Sequence, residues 1–454
     1  MCYHKFMNQK GEKNMININQ ISNKNGKIDI PLICQVILNS NRIRGTNNRL
    51  YIWQSEQNCF QYQAEERRAI YELFEPECAM LLSSHQIDEI LKRLKSLPET
   101  YISMDDFDNE PQLINCKNGI LDINTLKFIS SENTSYNFSG QLNFEYIANA
   151  DIQNAPTFAK FIDTSLCGNS DKQKLLLQTI GYSISNNYSL KCAIFFEGAP
   201  DSGKSHILNL ISKVFGDNRI SNLTLSDLGK RFSTSQLAFT RLNINGDLET
   251  DVLRDIATFK RILGGDRIFA EYKGKDGFMF TPRVHLLYAC NNLPLLKEVQ
   301  KSDAYIKRIV LLHFPVSVSK ENQDPNLLDK LWSERNIIFS AAIKEFANVI
   351  TTTRSFDVDV DSSKVLQSYK DILNPVEAFM RYECIHGEDY RIHKNTFYNV
   401  FKRWCEDNDF SPKLNPHDIS TLVLKNPHIQ VSKFRLNGSQ PMHGFIGIKL
   451  KSEN

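Results

Sequence analysis

Gly198-Ala199-Pro200-Asp201-Ser202-Gly203-Lys204-Ser205 constrains this chain more than any other stretch. The apolar run CAIFFEG leads into it and SHILNLISKVFG follows, so the glycines stand where a buried strand hands over to a helix. Its spacing is G-x-x-x-x-G-K-[ST]. Small residues let backbone N–H groups close around an anion at a helix N-terminus, where the helix dipole favours negative charge. Lys204 is then placed to reach terminal phosphates, Ser205 to ligate Mg²⁺, and His206 to end the binding loop. The pattern predicts an α/β chain that holds ATP and Mg²⁺.

Two later strand patterns supply partners for such a loop. LNINGDLE ends in Asp247 and Glu249, and hydrolysis needs one carboxylate to hold the metal through its water and another to polarise the attacking water. Asp247 is assigned to the metal and Glu249 to the water; a pair of surface acids at a strand end is the plainer alternative. VHLLYACNN delivers Asn291 at its tip, where an uncharged amide can sense a γ-phosphate and orient water. Between these strands, FAEYKGKDGFMF reads as a hairpin that carries Lys273 and Lys275 on a protruding tip.

Composition sets the remaining bounds. At 454 residues the chain has room for about three domains, and 41% hydrophobic with 23% charged residues is ordinary for a soluble globular protein. No apolar run nears the roughly 18 residues of a membrane span, and the polar start MCYHKFMNQKGEKN lacks a secretory core. The expectation is a cytoplasmic protein with no membrane partner. Ten cysteines stand apart without a C-x-x-C pair, which fits reduced thiols, and the spacing of Cys384, His386, His393 and Cys405 matches no common zinc module. A net charge of +2 hides an asymmetry. From Arg391 onward ten Lys/Arg face five Asp/Glu, so this tail is net +5 and the remainder net −3.

Along the chain, residues 27–63 alternate as a hairpin around SEQN, and helical spacing runs from Ala64 to Leu97. Acidic DDFDNEP (105–111) marks a boundary, a hairpin around Asn118-Gly119 follows, and apolar spacing over 154–187 suggests a helical neck. After the α/β stretch, a helical pattern over 324–350 closes the domain, and TTTRSFDVDVDSS (351–363) reads as a polar linker. Helices near 375–385, 395–407 and 416–424, then two strands around Asn437-Gly438, outline a winged helix. The expected units are therefore 1–105, a small α+β domain; 106–190, a neck or oligomerisation domain; 191–352, the ATPase; and 364–454, the winged helix.

In order, GAPDSGKS, NGDLE, LGGDRIFAEYKGKDGF, ACNNLP and KRIVLLHFP resemble the superfamily 3 helicases, in particular the C-terminal part of phage and plasmid primase-helicases akin to the poxvirus replicative primase-helicase. The likeness extends upstream through NGILDI and KLLLQTIGYSI and downstream to FYNVFKRWCEDN, over about residues 105–450. The resemblance implies an AAA+ P-loop ATPase that assembles as a hexameric ring around DNA and moves 3′ to 5′ along one strand. It implies that Arg308 is an arginine finger entering the neighbouring copy's site, with Lys307 standing where many relatives carry a second arginine. Lys273 and Lys275 match the pore hairpin that grips the DNA backbone, and Glu271 stands near a place where relatives often carry an arginine.

Residues 1–105 are too short for a primase domain and lack its acidic cluster, so the resemblance implies a helicase that works with a separate primase. The layout is similar to replication initiators of phages, plasmids or mobile islands such as staphylococcal pathogenicity islands. That gives the basic tail the task of finding a duplex origin, with Asp418–Lys425 as reading helix and Lys425, Lys433 and Arg435 as DNA contacts. An initiator that uses ATP only as an assembly switch shares every one of these motifs. A small-molecule kinase would explain neither Asn291 nor the basic tail.

Overall fold

The apolar run before the glycine loop becomes an inner strand of a parallel sheet in a computed structural model of the chain, which describes residues 15–23, 25–46, 49–129, 136–248, 252–253, 255–274, 276–296, 302–408, 410–436 and 440–452. Ahead of that sheet come α1 (Ile30–Asn39) and the antiparallel strands β1 (Ile43–Thr46), β2 (Arg49–Gln54) and β3 (Cys59–Tyr62). The expected hairpin is present, with Gln54 opposite Cys59. Helical spacing over 64–97 divides into α2 (Glu66–Tyr71), α3 (Pro76–Leu81) and α4 (Ser84–Ser96). Pro76 lacks the N–H that a continuous helix needs, and Ser83 starts α4 afresh with a reciprocal cap to Gln86. Ile87, Ile90, Leu91 and Leu94 form one face of α4 and are buried with Ile33 and Ile37 of α1.

Next, β4 (Leu113–Cys116), β5 (Gly119–Asp122) and β6 (Lys127–Ile129) make an antiparallel meander. Gly119 pairs with Cys116, so the turn itself is Lys117-Asn118, one residue earlier than the Asn-Gly signal suggests. α5 (Pro156–Ser165) and α6 (Ser170–Ile184) lead to β7 (Ala193–Gly198), α7 (Lys204–Phe215), β8 (Ile220–Ser221) and β9 (Leu242–Asn245). Beyond β10 (Val252–Leu253) and α8 (Ile256–Gly264), a hairpin of β11 (Ile268–Ala270) and β12 (Phe278–Phe280) precedes β13 (His285–Cys290). β14 (Leu295–Leu296) pairs with β10, short α9 (Ser302–Ile306) follows, and β15 (Ile309–Phe314) completes the sheet. Its order is β15-β7-β13-β9-β8, every neighbouring pair parallel.

Strand alternation divides the apolar residues between two faces. Ile194 and Phe196 of β7 join a core shared with α5, α6 and α7 and, through α10 (Leu327–Ser333), with α11 (Arg335–Asn348). α6 and α11 approach so closely that a Cβ on Gly181 would lie 2.2 Å from the Ala342 carbonyl oxygen. Ala193 and Phe195 face the other way, onto Leu223, Phe259 and Tyr305.

The segment 351–363, expected as a polar linker, is held in place. Asp357 takes Lys174 and Gln178, each at 2.8 Å, and Asp359 caps α12 (Val360–Leu373) by accepting the N–H groups of Asp361 and Ser362. Tyr369 and Leu373 of α12 are buried with Tyr305 and Ile306, so this helix covers the second face of the sheet. Then α13 (Pro375–Glu383), β16 (Cys384–His393), α14 (Lys394–Asp407), α15 (Pro416–Val423), β17 (Gln430–Phe434) and β18 (Met442–Leu450) enclose their own core of Phe379, Phe397, Phe401 and Phe445. Sequence spacing predicts these last three helices and two strands; β16 is additional, in an antiparallel sheet of order β16-β18-β17. The turn expected at Asn437-Gly438 lies outside the described residues. Among the described residues no helix is long and apolar enough to cross a membrane, and no three His, Cys, Asp or Glu side chains are placed to hold a metal ion.

Candidate functional site

From β7 the chain runs through α7 to the far edge of the sheet at β8, whereas from β13 it crosses back to β15 on the other side of β7. A crevice opens outside the carboxyl ends of strands at such a switch point. The register pairs Glu197 with Cys290, so Gly198 and Asn291 emerge from adjacent strands at one level.

Two glycines shape the loop there. Gly198 has φ 137° and an added Cβ would lie 2.1 Å from the Phe314 carbonyl oxygen; Gly203 has φ 96° and its Cβ would meet the Phe161 ring of α5 at 2.6 Å. The Ala199 N–H donates to that Phe314 oxygen at 3.0 Å, and the Val318 N–H to the Asp201 oxygen at 3.1 Å. The loop is therefore clamped between α5 and the end of β15. α7 begins at Lys204, whose helical first turn leaves backbone N–H groups without intrahelical partners.

Lys204 is 7% exposed. Its Nζ donates to the carbonyl oxygens of Gly198 and Ala199 at 2.8 and 2.6 Å, and lies 3.2 Å from both Ser202 Oγ and Asn291 Oδ1. Four oxygens surround an ammonium that carries three protons, so the charge is desolvated yet fully engaged. Pro200, Asp201 and Ser205 are exposed at the mouth, and His206 is half-buried with its ring 6.3 Å from that of Phe161. Asp247 is exposed just past β9, and its N–H donates to Asn245 Oδ1 at 3.1 Å. Glu249 and Lys275 lie outside the described residues.

Arg308 is not brought to this crevice. Its carbonyl accepts the Ala193 N–H at 2.8 Å, at the amino end of β7, and five strand steps of about 3.3 Å separate Ala193 from Gly198. Arg308 Nη1 donates to the Ala304 oxygen at 2.8 Å and its Nε is buried without a partner, whereas Lys307 is exposed. Lys273 is exposed on the connection between β11 and β12. Glu271 is gripped by Arg231 from a different segment. Thr234 Oγ1 also holds the Phe269 oxygen at 3.3 Å, and Arg49 of β2 reaches the Tyr272 hydroxyl at 3.4 Å.

In the tail, Lys433 and Arg435 are exposed, but Lys425 turns toward Asp303 of α9, 4.0 Å away. The expected reading helix begins with an Asn415–Asp418 capping box, which puts an acid in its first turn. Sequence reasoning missed two pairs at the crevice. Glu197 Oε2 meets His313 Nδ1 at 2.7 Å directly before Gly198, and the Tyr369 hydroxyl donates to the Pro294 carbonyl, three residues past Asn291. A polar residue at the end of each apolar run, FFEG and LLHF, was the signal for the first.

A profile described as D5 N terminal like matches residues 41–167, and one for a family of unknown function, DUF5906, matches residues 196–308, which include the whole glycine loop, Asn291 and Arg308. The helicase-named protein 121R of Invertebrate iridescent virus 3 is 25% identical over 388 residues, 75% of this chain and 40% of that protein; the chain thus spans less than half the length of this relative. Two apo structures of the NrS-1 C-terminal region superimpose on 93% of this chain and 100% of theirs at a TM-score of 0.51, with 9% and 10% identity, a likeness of fold alone. The chain thus has a mixed α/β architecture around a five-stranded parallel sheet and is similar to the D5 N terminal like family over residues 41–167 and to a helicase-named viral protein at 25% identity.

Proposed function

We propose that this chain is an ATP-dependent replicative DNA helicase of superfamily 3, built on an AAA+ P-loop domain. The observation that carries the proposal is the meeting of Lys204 Nζ and Asn291 Oδ1, 3.2 Å apart, at the switch point of a parallel sheet. A triphosphate suits the residues present: Gly198 and Gly203 keep Cβ atoms out of the cradle, and Lys204 adds a desolvated charge to the free N–H groups of α7. Ser205 and Asp247 are the residues that would hold Mg²⁺. When bound, the nucleotide supplies the phosphoryl group whose transfer to water drives the machine. Lys204 then exchanges the carbonyls of Gly198 and Ala199 for phosphate oxygens, Asn291 orients the attacking water, and Glu249 accepts its proton.

Arg308 stands at the opposite end of the sheet from its own loop, which supports action on a neighbouring copy in a hexameric ring. Lys273 and Lys275 would hold the phosphates of one strand in the pore. Residues 364–454 would serve as a winged helix that presents Lys433 and Arg435 to a duplex origin, with Lys425 tying it to the segment before Arg308. The units 1–105, 106–190, 191–352 and 364–454 are proposed as parts of that assembly. Resemblance supports 3′ to 5′ movement and a role as initiator of a phage, plasmid or mobile island. The test is displacement of a strand from forked duplexes tailed 3′ or 5′. Lys204→Ala should abolish hydrolysis and displacement together, and ATP-dependent duplex binding by the wild type without any displacement would reduce the protein to an assembly switch.

A further inference from the structure

Asp108 shares its carboxylate between Arg241, with Nε 2.7 Å away, and Arg219, with Nη2 3.8 Å away; the three side chains are 1%, 7% and 12% exposed. One buried carboxylate against two guanidinium groups leaves a positive charge over. Arg49, stacked on Phe239 at 3.6 Å and on Tyr62 at 4.7 Å, adds another beside them. The carboxyl end of α7 offsets about half a charge at most. An excess of this kind is costly in a low-dielectric surrounding unless an anion accompanies it. Burial presses the Arg219 pKa down, against the pull of Asp108. Nε and Nη1 of Arg219 are buried donors with no acceptor. Gly140 passes so near Arg219 that an added Cβ would lie 2.6 Å from its Cδ, which wedges the guanidinium in place.

Arg49, Arg219 and Arg241 line one cavity of about 170 Å³, together with Gln57, Gln61 and Asn218, and none of its lining residues is acidic. That volume exceeds several times the roughly 30 Å³ one water occupies in the liquid. We propose that this cavity binds a phosphate group, as the free ion or as the monoester of a small ligand, at a site separate from the glycine loop. α7 joins the two: it starts at Lys204 and ends at Phe215 on the cavity wall, 12 residues or about 18 Å away. A phosphate held here therefore bears on the far end of the helix that presents the loop lysine.

The experiment titrates inorganic phosphate, and separately ribose 5-phosphate, into the full chain carrying Lys204→Ala, so that heat reports on this cavity and not on the loop. Saturable binding of at least one of them is expected. Free phosphate alone identifies an ion site, the monoester alone a small-ligand site. Asn218→Asp, which puts a carboxylate at an exposed lining position and leaves the Asp108 group intact, should weaken binding about tenfold. Arg219→Gln should do the same, and if it fails to fold, Asn218→Asp decides. Absence of saturable binding in the Lys204→Ala protein, or affinity untouched by Asn218→Asp, overturns the proposal.

Discussion

Asp108 sits in an acidic stretch that a linear reading takes for a boundary, yet its partner Arg241 arrives 133 residues later. Lys204 and Asn291 were legible because their chemistry is local: a glycine pattern, and a polar amide at the tip of an apolar strand. Asp108 was not, since its meaning lies entirely in tertiary pairing. Burial alone would raise its pKa; Arg241 first, Arg219 next and two hydrogen bonds from Ser139 outweigh that and hold it below the ordinary value. A carboxyl depressed in the fold contributes stability above its unfolded pKa of about 3.9 and loses it as pH falls through the folded value. Asp108→Asn should cost about 3–5 kcal/mol near neutrality, because two guanidinium groups stay buried without their carboxylate. His285 acts in a different window. Its ring lies 4.2 and 4.5 Å from those of Tyr182 and Tyr188, its Nε2 donates to the Ser185 oxygen, and burial lowers its pKa to about 4. Between that value and the unfolded 6.5 or so, only the unfolded chain binds the proton, so stability climbs with pH by on the order of 3 kcal/mol. Urea midpoints taken at about pH 7, 5 and 3 should fall in two steps for the wild type, with His285→Gln lacking the upper step and Asp108→Asn the lower.

Among elements, β7, β9 and β13 were legible as short apolar runs, and β8, β16 and α12 were not. β8 has two residues, and β16 reads CIHGEDYRIH, charged enough to pass for a loop because only one of its edges is paired and much of it is exposed. α12 hid behind DVDVDSS, in which Asp359 is in fact a helix cap. That helix carries a test. Tyr369→Phe keeps the ring and deletes the bond to Pro294, at a cost of about 1 kcal/mol. Because Pro294 lies three residues past Asn291 on the same connection, hydrolysis should slow more than nucleotide affinity falls; equal kcat and KM for the two proteins would show that α12 only packs. The β11–β12 hairpin offers a second. Arg231 is exposed, so its pair with Glu271 contributes little to stability, and its use is to orient the hairpin. Arg231→Ala should leave the thermal midpoint where it was and lower strand displacement, with Arg231→Lys restoring part of it.

At the scale of the whole molecule, motif order told which parts exist, while the parallel register tells where they stand. Ala193 binds the Arg308 carbonyl at the amino end of β7 and Gly198 leaves from its carboxyl end, about 16 Å on, farther than one arginine side chain spans. Each copy would thus present its loop at one end of its sheet and Arg308, the proposed finger, at the other. Under the proposed function, such surfaces would meet head to tail between copies, and a contact whose rotation closes would make a ring. Arg308→Ala should drop steady-state hydrolysis on the order of a thousandfold or more, as should Lys204→Ala for its own reason. The two inactive proteins, mixed in equal amounts and allowed to assemble, are the decisive case. Wherever the intact loop of an Arg308→Ala copy faces the intact finger of a Lys204→Ala copy, one whole site is rebuilt, which random assembly gives at about a quarter of the seams. Hydrolysis should return to roughly that share of the wild-type rate, since each rebuilt seam works with wild-type groups. Were both residues to serve a single chain, every copy in the mixture would still lack one of them, and the mixture would stay as silent as its parents.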